Sequence, residues 1–434
     1  MKKLLIVQVA ALGADLLRRY GGEAGRGFKK IRSVFPALTC PIQATFRTGQ
    51  KPSAHGMVAN GSYFPSLKKV LFWEQAASLV EGERIWTHYR AAGGKAGMYF
   101  WQQSLGEALD SVLSPAPIHK HSGGMIQACY SEPSDLYDRI RERTGKGFNL
   151  MNYWGPLASF RSSEWIVGAL EEILKDEEAP GLVMGYLPHL DYGLQKFGPE
   201  DEKCKKETLR TLDYLARLEE AAVANGYEYL FYGDYAIEQV KGGAVFPNRA
   251  LAKAGLLRTR RIKGMLYPDF FASKAFAMVD HQIAHIYSAD ENSARRAREV
   301  LEGLEGVAAI LGEEGKEAAG MGHRNSGQLI LEARTGSWFA YPWFDSKEEA
   351  PDYATHVDIH NKPGYDPCEL FFGWPPLSVS MDCRKVRGTH GKIGEGLEVA
   401  WKASWDPEQE PGDLRELAGE TERWLSRDGG GRAN

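Results

Sequence analysis

The run 181-GLVMGYLPHLDYGLQ-195 decides the fold. Its opening GLVMGYL is apolar without alternation, short, and closed by Pro188, so it reads as a strand buried on both faces. His189, Asp191 and Gln195 follow at once. In doubly wound sheets ligands bind beyond the carboxyl ends of the strands, so polar residues placed there mark where chemistry is expected.

The same pattern recurs on both sides of that run. LLIVQV (4–9) reads as a buried strand feeding a helix through Leu16 and Leu17, and YEYLFY (227–232) as another, followed by Asp234. Trp165, Val167, Leu170 and Ile173 mark the inward side of a helix ahead of residue 181. Leu209, Leu212, Leu215 and Leu218 mark a long helix from about Lys205 to the stop signal Asn225-Gly226. Buried strands separated by helices predict an α/β protein with a mostly parallel sheet flanked by helices.

Residues 274–341 change character and predict a small α+β insert of βαβ type beside the main sheet. In it AFAMVDHQIAHIYS reads as one strand, whose alternation puts His281 and His285 on one face. The core is then 1–273 with 342–405. Residues 345–370, rich in Pro, Asp and His, read as irregular, and the polar stretch 406–434 as a fraying tail.

The 434 residues are 43% hydrophobic and 25% charged, the balance of an ordinary folded chain. A net charge of −4 argues against a nucleic-acid-binding surface, which needs clustered Lys and Arg. The five cysteines (Cys40, Cys129, Cys204, Cys368, Cys383) are scattered, without CxxC spacing, which fits a reducing compartment. The start MKKLLIVQVAALGADLLRRYGG has an apolar run cut short by Asp15, Arg18 and Arg19, so it reads as a strand entering a helix rather than a leader. No run is long enough to span a membrane. The expected address is cytoplasmic, with the periplasm as the alternative.

Five short motifs occur in order: TCP with TG (39–49), HGMVAN (55–60), PHLD with a Gly-Pro soon after (188–199), GD at 233–234, and RGTHG (387–391). Over about 3–395 this set resembles the alkaline phosphatase superfamily, in particular its type I phosphodiesterase/nucleotide pyrophosphatase branch. The resemblance implies an alkaline-phosphatase-like fold and a metal-dependent hydrolase of phosphoester bonds acting on a small phosphorylated substrate. Thr39 matches the nucleophile, and Asn60 the amide that donates to a phosphoryl oxygen. Asp191 and His390 match ligands of one metal ion, and Asp234 a ligand of the other. The ions implied are divalent, one or two of them, zinc first and manganese as the alternative. Metal coordination would turn the threonine into an alkoxide, and water would then hydrolyse a phosphothreonine.

The sequence departs from that pattern where the family expects an Asp (Ala10) and two His (Gln195 and Tyr235). Candidate substitute ligands are His189, on the same strand-end loop as Asp191, together with Asp280, His281, His285 and His360. Against the nucleophile stands a plainer reading, in which Thr39 only caps a helix with Pro41 just inside it. Against the hydrolase stands a non-catalytic phosphometabolite-binding protein with degenerate metal sites. A phosphatase or phosphonate hydrolase of the same superfamily uses similar residues.

Overall fold

A computed structural model describes residues 2–359 and 361–427. Its central sheet has eight strands in the order Lys29–Ile31, Val399–Ala403, Glu228–Gly233, Leu4–Val9, Leu182–Leu187, Ala96–Tyr99, Ser111–Ser114 and Tyr130–Glu132. The middle five run parallel. Val399–Ala403 and Tyr130–Glu132 run antiparallel to their inner neighbours. Leu4–Val9 and Leu182–Leu187 are buried at every residue because helices cover both faces. The one polar side chain in the first strand, Gln8, is satisfied inside: its amide donates to Asp234 and its carbonyl accepts from Tyr232.

Register places the chemistry. Val9 lies level with both Leu187 and Gly233, so three strands end together and Ala10, Pro188 and Asp234 surround one crevice. Gly233 permits this approach, since a Cβ there would stand 2.3 Å from the Leu12 carbonyl oxygen.

Residues 275–333 form a second, four-stranded antiparallel sheet, ordered Ala275–Asp280, Ile283–Ser288, Leu329–Ala333, Val307–Leu311. Ile283–Ser288 and Val307–Leu311 run the same way, joined by helix Glu291–Glu302, with Leu329–Ala333 between them. The expected single strand over AFAMVDHQIAHIYS is instead a hairpin. Its turn is at His281-Gln282, where His281 takes a left-handed φ of 55°. His281 and His285 therefore do not share a face: one caps the turn and the other sits inside the returning strand.

The tail also differs from expectation. Leu414–Ser426 is a helix capped by Asp413, whose carboxylate accepts from Glu416 N–H. Leu414, Leu417, Ala418, Trp424 and Leu425 are buried, and the helix packs on Thr39–Thr48. Its apolar residues at helical spacing outweigh its polar composition.

Candidate functional site

Thr39 is the first residue of helix Thr39–Thr48; Leu38, not Thr39, occupies the cap position. Every residue of that helix is buried, so its polar side chains are tied down internally. The Arg47 guanidinium donates to the Gln102 and Gln103 carbonyls, Gln43 accepts from Gln102 N–H, and Thr45 bonds His55. Gly49, at φ 66°, closes the helix by donating to Thr45 O. The helix fixes the backbone at Thr39, and Tyr186 and Tyr235 lie near its side chain.

Asn60 stands beside it. Its side-chain oxygen accepts from Cys40 N–H at 2.9 Å, its Nδ2 donates to Asp280 Oδ1, and its backbone N–H donates to Asp280 Oδ2. Asp280, on the second sheet, thus braces the amide next to Thr39. It also accepts from His281 Nδ1 at 2.8 Å.

Across the cavity, Asp191 and Gln195 lie four residues apart on helix His189–Phe197 and meet, Gln195 Nε2 donating to Asp191 Oδ2 at 2.5 Å. Asp191 Oδ1 is buried without a partner. His390 Nε2 lies 4.0 Å from that oxygen, while its Nδ1 donates to the Ala37 carbonyl at 2.7 Å. Because a carbonyl only accepts, the proton sits on Nδ1 and Nε2 keeps its lone pair. His281 has the same tautomer through Asp280, and its buried Nε2 also lacks a partner.

Four rings stack side by side along this wall. Tyr235 lies 3.5 Å from His390 at an interplanar angle of 3°, His390 3.8 Å from His281, and His281 3.9 Å from Tyr365. Burial holds both imidazoles below their usual range, hence neutral. It pushes the Asp191 carboxyl up to about 7. It pushes Asp234 to about 8, against three donors that favour its ionised form: Ala11 N–H, Tyr235 N–H and the Gln8 amide.

A cavity of about 510 Å³ opens over these groups, lined by Thr39, Tyr186, Asp191, Gln195, Tyr235, His281 and His390 at its base and by Trp73, Tyr153, Trp154, Tyr192 and Tyr365 around it. Phe72, Phe100 and Trp101, by contrast, belong to the core. The sequence reading missed Tyr186, hidden in an apolar strand, and Tyr365, in a stretch without periodicity.

Thr39, Asn60, Asp191, His390, Asp280 and His281 converge here. Asp234 is fully buried and does not line the cavity. His189 does not join: the helix begins at that residue, so positions 189 and 191 face apart, and His189 packs on Tyr214 with Thr211 near its Nε2. His285 does not join either, since Nε2 meets Val58 O and Nδ1 accepts from Gly327 N–H. His360 lies outside the described residues.

The sequence profile described as type I phosphodiesterase / nucleotide pyrophosphatase matches residues 17–366, and the chain belongs to that family. It is 24% identical over 256 residues to the ectonucleotide pyrophosphatase/phosphodiesterase C27A7.1 of Caenorhabditis elegans, covering 56% of this chain and 26% of that protein. It is 26% identical over 113 residues to human ectonucleotide pyrophosphatase/phosphodiesterase family member 1, covering 23% of this chain and 12% of that protein. The match thus spans about a quarter or less of each curated relative. Among solved structures, phosphonoacetate hydrolase from Sinorhizobium meliloti 1021 superposes with a TM-score of 0.64 at 16% identity, covering 98% of this chain and 96% of that one. Murine ectonucleotide pyrophosphatase/phosphodiesterase 5 gives 0.58 at 14%, covering 98% and 95%. These likenesses show the shared fold.

The family typically depends on divalent metal ions. The donor set here does not fit its two-ion centre. Among the described residues no three His, Cys, Asp or Glu side chains are arranged to hold a metal ion. Both Asp234 oxygens are already engaged by donors, and Tyr235 puts a stacked phenol where an imidazole is expected. No helix among the described residues is long and apolar enough to cross a membrane.

Proposed function

We propose that this chain hydrolyses a phosphoester bond of a small phosphorylated molecule, with Thr39 as nucleophile. Family and fold support that class of reaction. The observation that carries the assignment of Thr39 is its position at the first turn of a fully buried helix, opening into the one cavity where the family's ordered motifs converge. The hydroxyl oxygen attacks phosphorus in line with the leaving oxygen and forms a phosphothreonine, which water then cleaves. The helix N-terminus stabilises the charge that develops on the phosphoryl oxygens. Asn60, fixed by Asp280 and Cys40 N–H, holds the turn that presents Thr39. The threonine proton leaves past the Tyr235 hydroxyl toward Asp191, whose Oδ1 is the unpartnered acceptor nearby. The zinc or manganese implied by the sequence has no complete ligand set here, and no step is assigned to it.

One observation favours a second reading, a binding protein without turnover: both oxygens of Asp234 are engaged and the activating centre is rebuilt in rings. Hydrolysis of bis-p-nitrophenyl phosphate and of a p-nitrophenyl phosphonate ester, with and without added divalent ions, separates the two. The hydrolase reading expects turnover that Thr39→Ala lowers by about a thousandfold or more, as removal of a nucleophile does. Equal rates for wild type and variant remove Thr39 from the mechanism, and no turnover under any condition leaves the binding reading.

A further inference from the structure

The cavity base has an unusual balance of charge and hydrogen-bonding groups. Its lining contains no Lys or Arg among the described residues, but it does contain the carboxyl groups of Asp191 and Asp358. Asp191 Oδ1 and His281 Nε2 are buried and have no partner, and His390 Nε2 faces Asp191 Oδ1 across 4.0 Å. All three atoms are acceptors, because Asp280 and the Ala37 carbonyl fix the proton of each imidazole on its far nitrogen. Buried acceptors without donors are costly, so this is a site shaped for something that donates. Among the described residues a phosphate dianion would meet the helix N-terminus at Thr39 but no cationic side chain in the lining.

We infer that the base of this cavity binds a protonated amine carried by the ligand itself, its N–H groups directed at Asp191 Oδ1, His281 Nε2 and His390 Nε2. A tetrahedral zinc with bonds of about 2.0–2.2 Å sets two ligands about 3.4 Å apart. A tetrahedral ammonium making hydrogen bonds of about 2.8 Å sets its acceptors up to about 4.6 Å apart, and somewhat closer when the bonds bend. The observed 4.0 Å lies about midway between the two values, within reach of an ammonium whose hydrogen bonds bend, and no three His, Cys, Asp or Glu side chains among the described residues are arranged to hold a metal ion. The aromatic residues Trp73, Trp154, Tyr192 and Tyr365 also line the cavity, and aromatic rings are surroundings that a cation tolerates. The ligand class is a primary amine on a short carbon chain or ring. That this ligand is also a phosphoester, and so a zwitterion such as an aminoalkyl phosphate, rests on the function proposed above. The amine does not.

Calorimetry on the wild-type chain tests the amine without any phosphoryl group. 2-Phenylethylamine is compared with 2-phenylethanol, which differs only in replacing the ammonium with a hydroxyl. The amine is expected to bind about tenfold tighter or more, the worth of one charge-assisted hydrogen bond. Asp191→Asn and His281→Gln, on separate elements and checked for unchanged melting temperature, are each expected to shrink that ratio. The preference in the unaltered chain carries the test if either variant misfolds. Equal binding of amine and alcohol overturns the inference, as does stoichiometric zinc binding that displaces the amine. A second pair, 2-aminoethyl phosphate against ethyl phosphate on Thr39→Ala protein, measures how far the phosphoryl group adds to the amine. Failure of the hydrolase reading would appear in turnover and leave the amine preference intact.

Discussion

The two sides of the cavity are built by different rules. On one, Thr39 begins a helix in which Gln43, Thr45, Arg47 and Thr48 each make an internal hydrogen bond, although Gln43 Nε2 and Arg47 Nε lack partners, and Asn60 is held by three hydrogen bonds. On the other, Asp191 and His390 stand beside a row of rings, Tyr235, His390, His281 and Tyr365, with Asp191 Oδ1 and His281 Nε2 left unpaired. The first side has the family's motif and a rigid support for it. The second keeps Asp191 and His390 but changes what surrounds them.

The largest stability effect is expected on the ringed side. Lys362, almost fully buried, donates to Asp366 and Glu369 at 2.7 Å each, and Glu369 in turn accepts from Trp154 Nε1 in the cavity wall. Lys362→Met leaves two buried carboxylates without their cation and should cost about 3–5 kcal/mol, read from urea unfolding. A loss under about 1 kcal/mol would mean the wall does not depend on this pair.

The comparison itself is sharpened by reversing the departures. The triple variant Ala10→Asp, Gln195→His, Tyr235→His restores the family ligand types and removes one ring from the stack. Zinc at about a hundredfold above its Kd should then stabilise the variant by about 2.7 kcal/mol and leave the parent chain unmoved, as thermal denaturation with metal analysis will show. Equal zinc stabilisation of the parent would contradict the misfit described above.

The smallest effect belongs to the Thr39 side. His55 bonds Thr45 through Nε2 and accepts from Met57 N–H at Nδ1, and burial, with Arg47 and His323 nearby, depresses it to about 3. A depressed histidine contributes stability above its unfolded value near 6.5, and that contribution is lost as pH falls toward 3. His55→Asn retains an acceptor for Met57 but cannot gain the proton. Its unfolding free energy should fall less steeply from pH 6.5 to 5, by on the order of 1–2 kcal/mol, in denaturant titrations at stepped pH. Parallel curves would assign the acid response to other buried histidines such as His189.

The sequence made the parallel strands legible because LLIVQV, GLVMGYL and YEYLFY are apolar on both faces, a pattern that few other environments require. Thr39, Asn60, Asp191 and His390 were legible because they fall just after such strands or in ordered motifs. His189 and His285 misled for a shared reason: each was assigned a face from an extended backbone. The chain instead starts a helix at residue 189 and turns back at His281-Gln282. Tyr365 carried no signal, since its place beside His281 depends on contacts across 84 residues of sequence.

Hydrophobic period and the order of short motifs, both local properties, were enough to determine the α/β core, the family and the position of Thr39. What became of the metal half was decided only in three dimensions. Whether Asp234 has a free oxygen, which nitrogen of His281 and His390 carries the proton, and which rings meet at stacking distance all depend on partners brought together by strand register. Side-chain chemistry at a site is set by who the neighbours are, and the chain reveals its neighbours only when folded.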